Sequence, residues 1–416
     1  MAGCGSKGGS SDAKNDDGTI TLNVWHQWSN DTNELKSKYE EAVKAYEKEN
    51  SGVKIKTETL DTEAYKTKIN AEFAGDAKGI DVFYWWGAGT AKKLVDAGKV
   101  MALDDYVTDD VKSKILEGST SAFEFDGKLY SVPMFSWYMT LFCNKTMFDK
   151  AGATLPTTYD ELVDAVKKLK KLDGVTPMAA GAKDGWNAAF VYQALALREV
   201  GATGVNEMLS GKKEFGDEGF KKAAQKVSDL YEMGAFGDNP LEQGNDDANA
   251  AFENGKAAMR LMGSWFANNV YTDDAATIKP EEVVALKIPT IADGKGEATD
   301  YCGGFVESFW VNNNTKYKEE AAKFCIYINE KMGVASYETG SGFSGWTTPA
   351  DESNLNPLFI QIKDLLAEGK QGVLAWDTSL ESEPAAVHNE QVQTLFADGA
   401  DIDAFIDEHK AAINGK

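Results

Sequence analysis

The sequence predicts an α/β fold in two lobes joined by a hinge, and three observations carry that expectation. Strand and helix patterns alternate from Ile20 to Tyr84, which is the order of a parallel, doubly wound sheet. The mostly apolar run Lys256 to Met262, bounded by Gly255 and Gly263, reads as a strand buried in a mixed or parallel sheet. Two further segments, Pro133 to Asn144 and Asp300 to Asn312, stand far apart in the chain and read as crossings between lobes. Lobes that are discontinuous in sequence and joined by at least two crossings suit a hinge motion.

Taken in order, Ile20 to Trp25 alternates and is rich in strand formers, and Asp31 to Glu49 reads as a helix. Asn30 or Asp31 is its expected cap, with Leu35, Tyr39, Val43 and Tyr46 on one face. Val53 to Thr59 is a second strand, Thr62 to Phe73 a helix, Ile80 to Tyr84 a third strand and Thr90 to Ala97 a helix closed by Gly98. Gly127 to Pro133 reads as a hairpin arm, and Thr140 to Cys143 continues as a strand. Helices are expected at Tyr159 to Leu172, Trp186 to Val200, Glu218 to Met233 and Asp246 to Asn254. Asp300 to Asn312 is a strand interrupted by Gly303 and Gly304. Helices follow at Lys318 to Lys331, Pro357 to Leu366, Pro384 to Phe396 and Ile402 to Ile413. The expected division is a tether at residues 1–18, a first lobe of residues 19–135 and 305–342, and a second of residues 136–304 and 343–416.

Composition narrows the function. A chain of 416 residues holds two ordinary domains, and 43% hydrophobic with 26% charged residues is a globular balance. No apolar run approaches the roughly 18 residues that cross a membrane. A net charge of −23 argues against nucleic acid, which is bound through basic patches. Met1-Ala2-Gly3-Cys4-Gly5-Ser6 looks like the tail of a bacterial lipoprotein signal, in which Cys4 becomes the lipidated first residue. The charged and apolar parts of such a signal do not precede it, so Met1 reads as an added start. Residues 5–18 contain no large apolar side chain and are expected to form a flexible tether. With Cys4 lipidated, Cys143, Cys302 and Cys325 are an odd, widely spaced trio that reads as buried thiols.

Catalytic signatures are largely missing. His26, His388 and His409 are scattered, and no metalloprotease, Walker or nucleophile-elbow motif occurs. Residues 340–345 match Gly-x-Gly-x-x-Gly, but a helix precedes them and no helix follows, so they read as a loop. No cofactor is expected. What recurs is an aromatic residue with polar or glycine neighbours near predicted strand and loop ends. Trp25-His26-Gln27-Trp28 follows the first strand and Trp85-Trp86 the third. Trp137 lies on the first crossing, Asp184-Gly185-Trp186 opens a helix, and Gly263-Ser264-Trp265 ends its strand; Trp346 and Trp376 come late. In Gly263-Ser264-Trp265 the glycine would let backbone approach a ligand, the serine supply a hydroxyl and the indole a flat face. A sugar ring has one face of C–H bonds and a rim of hydroxyls, so it suits an aromatic face beside fixed polar groups.

At this point the chain resembles the solute-binding lipoproteins of bacterial carbohydrate ABC transporters, the broad maltose-binding-like family. The resemblance rests on TLNVW, AYEKENSGVKIK, GIDVFYWWG, LVDAGKVMALDDY, GKLYSVP with LFCNKTMFDKAGATLPTTYDEL, and FENGKAAMRLMGSW, in that order. Residues 198–202 with FENGKAAMRLMGSW are similar to the branch handling oligosaccharides. The resemblance implies a periplasmic-binding-protein-like fold, each lobe a mixed, mostly parallel sheet flanked by helices. It implies an oligosaccharide ligand, permease subunits as partners, and a lipid-anchored monomer on the outer face of the cell membrane. By position it implies ligand contacts from Trp25, His26, Trp28, Trp85, Trp86, Trp137, Asp184, Trp186, Trp265, Gly303 and Gly304, with Trp346 and Trp376 added from more variable loops. A crossing position that is acidic in maltose binders falls here near Trp137, so maltodextrin specificity does not carry over. Two readings compete: a secreted glycosidase, whose carboxylate pair could come from any of 66 acidic residues, and a receptor for a peptide, polyamine or metal.

Overall fold

The computed structural model describes residues 18–30, 33–272 and 276–415. Cys4 and most of the expected tether therefore lie outside the described residues. Twelve strands are formed by the described residues: β1 (Ile20–His26), β2 (Val53–Thr59), β3 (Val82–Trp86), β4 (Glu124–Phe125), β5 (Lys128–Leu129), β6 (Phe135–Asn144), β7 (Thr176–Ala179), β8 (Ala257–Gly263), β9 (Val283–Leu286), β10 (Asp300–Val311), β11 (Phe343–Ser344) and β12 (Gln371–Val373). The main sheet runs β2-β1-β3-β10-β6-β8-β7, with β9 and β11 pairing β6 and β12 pairing β10. Among the described residues no helix is long and apolar enough to cross a membrane.

Alternation in β1 buries Ile20, Leu22 and Val24 while Thr21 and Asn23 stay partly open, and β2 and β3 flank it in parallel. β8 is buried at every position and lies parallel to β7, as expected of a central strand. β6 runs antiparallel to β8 and β9, so the sheet on that side is mixed. The reason is that β6 arrives from the other half of the molecule.

Two hydrophobic cores result. One gathers β1, β3 and their helices with Phe309, Trp310 and Val311; the other gathers residues from Trp137 to Cys302 and from Leu355 onward. β6 and β10 serve both. Phe135 to Tyr138 pair with β10 and Met139 to Cys143 with β8, while Glu307 to Val311 of β10 pair with β3 and Asp300 to Cys302 with β12. The crossings expected at residues 133–144 and 300–312 are thus two antiparallel strands lying side by side. Gly303 and Gly304 sit where they meet, with φ of 137° and 149°. A Cβ on Gly303 would come within 2.0 Å of the Trp137 carbonyl oxygen, so only glycine permits this approach.

Several bounds differ from expectation. The first helix begins at Glu34, capped by the Asn33 side chain, and positions 31 and 32 lie outside the described residues. The helix expected to end at Val200 bends at Gly201 (φ 80°) and continues to Leu209. β7 and β9 went unpredicted because they are four residues long and β7 contains a proline.

Candidate ligand-binding site

The carboxyl ends of β1 and β3 bring five of the expected residues together. Tyr65, from the helix Thr62–Ala74, donates its hydroxyl to the carbonyls of Trp25 (3.1 Å) and Tyr84 (2.6 Å), fixing both strand ends. His26 is fully buried, its ring 4.2 Å from that of Tyr39 and 5.1 Å from that of Trp28. Its Nδ1 accepts the Trp28 N–H at 3.2 Å. Burial, with a smaller push from Lys36, lowers its pKa to about 3, so the ring is neutral. Trp25, Trp28 and Trp85 are buried as well, while Trp86 is half-buried and open at the strand end.

On the other side, Trp137 of β6 stacks on Phe190 (5.3 Å, 26°) and meets Trp265 edge-on at 5.1 Å. Trp186 packs edge-on against the same Phe190 at 5.3 Å. Trp186 and Trp265 are both half-buried. The room at Gly263 is filled by the ring of Trp265, which lies 2.0 Å from where a Cβ would stand. The Ser264 hydroxyl is buried and accepts the Tyr138 N–H at 3.2 Å, so it is committed to β6. These two positions shape the indole's perch; they do not themselves face outward. Asp184 accepts the Asn245 N–H at 2.6 Å, tying the start of its own helix to that of the helix Asn245–Glu253.

Several contacts span the two cores. Lys66 Nζ lies over the Trp86 ring at 5.1 Å and the Trp186 ring at 5.8 Å, and it pairs with Glu63 at 3.0 Å. Asn268 donates to Glu34 at 3.2 Å. Thr90 donates to the carbonyls of Asp377 and Thr378, each at 3.3 Å. The half-exposed indoles Trp86, Trp186 and Trp265 therefore border one seam.

Trp346 and Trp376 stand apart from that group. Trp346 is buried in the first core and donates its indole N–H to the Pro133 carbonyl at 2.7 Å. Trp376 is buried in the second, stacked on His388 at 4.9 Å.

Four contributors escaped the sequence reading. Lys66 and Phe190 carried no signal there. Glu307 and Arg260 each did, as a lone charge in an otherwise strand-like apolar run. Arg260 is fully buried and donates to the side-chain oxygens of Asn249 (3.1 Å), Asn187 (2.9 Å) and Asn245 (3.0 Å) and to the carbonyls of Ala179 (3.2 Å) and Ala180 (3.3 Å). It binds the end of β7 to the start of the helix that Asp184 and Trp186 open and to that of the helix Asn245–Glu253.

Comparison with known proteins agrees with this architecture. A family model described as bacterial extracellular solute-binding protein matches residues 29–334. A solved structure from work on xylan utilization by the thermophilic bacterium Caldanaerobius polysaccharolyticus superposes with a TM-score of 0.90 and 36% identity, covering 95% of this chain and 100% of that one. A chitin oligosaccharide binding protein superposes with a TM-score of 0.85 at 21% identity, covering 95% and 98%. The multiple sugar-binding protein of Streptococcus mutans is 24% identical over 352 residues, 81% of this chain and 77% of that protein. With two cores strung on two shared strands, this chain belongs to the bacterial extracellular solute-binding protein family.

Proposed function

We propose that this protein is the extracytoplasmic receptor of an ABC importer, closing two lobes over an oligosaccharide and presenting it to the membrane permease. The observation that carries this reading is the seam bordered by Trp86, Trp186 and Trp265, with Trp137 and Phe190 behind two of them. Flat, half-exposed indoles on both sides suit the two faces of a sugar chain, and ligand contacts with both lobes would favour the closed state. The lobes are residues 19–135 with 305–342 and residues 136–304 with 343–416, although Trp346 packs into the first. β6 and β10 are the hinge. Oligosaccharides from xylan head the trial panel, because the solved structure at 36% identity comes from work on xylan utilization.

The test is a glycan panel scored by thermal shift. A cognate oligosaccharide at a hundred times its Kd should stabilise the protein by about 2.7 kcal/mol and make it more compact in solution scattering. No reducing end should be released on long incubation; release would favour the glycosidase reading. A panel without any stabilising glycan would overturn the proposal.

Trp265→Ala should weaken that ligand about thirtyfold, near 2 kcal/mol, by removing a platform. The apo protein should lose little, since Trp265 is only half-buried. A normal Kd in a sharply destabilised protein would assign Trp265 to the core instead. The lipid anchor is tested separately. Expressed behind a lipoprotein signal, the protein should partition into detergent, and Cys4→Ser should release it. Partitioning that ignores the substitution would remove Cys4 as the anchor.

A further inference from the structure

We propose that Glu307, with the Tyr84 hydroxyl beside it, determines specificity at this site by accepting hydroxyl protons from the sugar ring that lies on Trp86. The inference rests on the receptor reading above. It begins with strand register. β10 and β3 are antiparallel with Glu307 opposite Trp86 and Phe309 opposite Tyr84, so all four side chains share one face of the sheet. Phe309 and Tyr84 have ring centroids 5.9 Å apart, and Tyr84 and Trp86 are 5.2 Å apart, which continues that face to the open strand end.

Glu307 is 7% exposed, and its Oε2 has no well-aligned hydrogen-bond partner among the described residues; the same is true of the Tyr84 hydroxyl. A buried carboxyl left in this condition is costly and calls for a functional reason. Tyr84 and Trp86 are close enough to favour its ionised form, but burial outweighs them and raises its pKa to about 7. Among the described residues no charged group pairs with it, and Lys66 lies over the Trp86 ring instead. β6 sets Phe135 opposite it, and the helix Lys318–Glu338 presents Asn329, whose amide is committed to the backbone of Phe309. The orphan oxygen thus sits on a crossing strand, under the half-exposed indole that borders the seam.

An ionised carboxylate is a pure acceptor, so adjacent ring hydroxyls can donate to it in charge-assisted bonds, while the Tyr84 hydroxyl can donate to a ring or hydroxyl oxygen. Such a ligand favours the ionised form. Below pH 7 binding must then release the Glu307 proton, and affinity rises with pH. The three histidines do not contribute between pH 6 and 8, since burial keeps each of them neutral there.

The experiment is titration calorimetry with the glycan of largest thermal shift, at pH 6 and pH 8 and in two buffers of different ionisation enthalpy. Wild-type affinity should be about tenfold weaker at pH 6, with a proton released on binding. Glu307→Gln should bind with a flat pH profile, and Tyr84→Phe should bind about tenfold more weakly while keeping the slope. Melting curves confirm that each variant is folded; should Glu307→Gln fail to fold, the wild-type profile and Tyr84→Phe carry the test. A pH-independent wild-type Kd, or unchanged affinity in Tyr84→Phe, would overturn this inference alone. Failure of every glycan to bind would overturn the receptor reading and this inference together.

Discussion

Arg260→Met should cost about 3–5 kcal/mol of stability, the loss typical of removing one member of a buried charged network. Five oxygens each lose a donor at once, those of Asn249, Asn187 and Asn245 and the carbonyls of Ala179 and Ala180, although the Asn245 oxygen keeps a second donor in the Asn187 amide. All five partners are neutral. The counter-charge comes from Glu253, Asp184 and Asp246, which hold the guanidinium protonated although burial lowers its pKa to about 9. Methionine fills the stem of the side chain but offers none of these donors, so the cost is polar and not a cavity. Arg260→Lys should recover little, because an ammonium is a point donor and cannot span acceptors arranged around a planar fork. Urea unfolding measures the first effect, and ligand affinity of the folded fraction measures a second. Asn187 lies next to Trp186, so loosening it should also weaken binding. Stability within 1 kcal/mol of wild type would show that the network contributes no net energy.

Arg260 also marks where the sequence stopped being informative. That residues 256–262 form a buried strand followed from apolar character between two glycines, because burial on both faces leaves no other pattern. The reason an arginine sits in it did not follow, since its five partners come from three separate stretches of chain. The same division runs through the site. Trp25, Trp28, Trp85 and Trp86 were legible as one group because they stand at the ends of recognisable strands, whose carboxyl ends face the crevice in α/β sheets. Which of them stays open depends on neighbours remote in sequence: Tyr39 and Phe309 enclose Trp28, while Trp86 stays partly open beneath Lys66. Trp346 and Trp376 look alike in sequence to Trp186, a tryptophan beside small or polar residues. Packing against Pro133 and His388 buries them, and no local pattern announces it.

Acid should destabilise this protein at a pH where its exposed carboxylates are still ionised, through its three histidines. His409 Nδ1 lies 2.8 Å from the Phe405 carbonyl, which can only accept, so the proton is on Nδ1. Its Nε2 is therefore the acceptor for His388 Nδ1–H at 2.9 Å, and His388 Nε2 in turn accepts from the Gln193 amide at 3.0 Å. A further proton on either ring would set donor against donor. Burial lowers the pKa of His409 to about 4 and that of His388 well below its ordinary value, and His26 falls to about 3. These folded values lie below the unfolded value of about 6.5, so the stabilisation is complete above pH 6.5 and drains away as pH falls toward the folded values. At pH 5 each histidine costs about 2 kcal/mol, about 6 in all. Glu307 acts oppositely: its folded pKa of about 7 exceeds the unfolded carboxylate value, so its penalty at pH 7.5 is relieved on acidification, returning about 2 kcal/mol. The net expectation is a loss of about 4 kcal/mol between pH 7.5 and pH 5, read from urea midpoints at the two values. Removing one titration by His409→Gln should lower stability at pH 7.5 yet reduce the acid-induced loss by about 2 kcal/mol. Equal midpoints at both pH values in the wild-type protein would mean that these rings gain protons without leaving the fold.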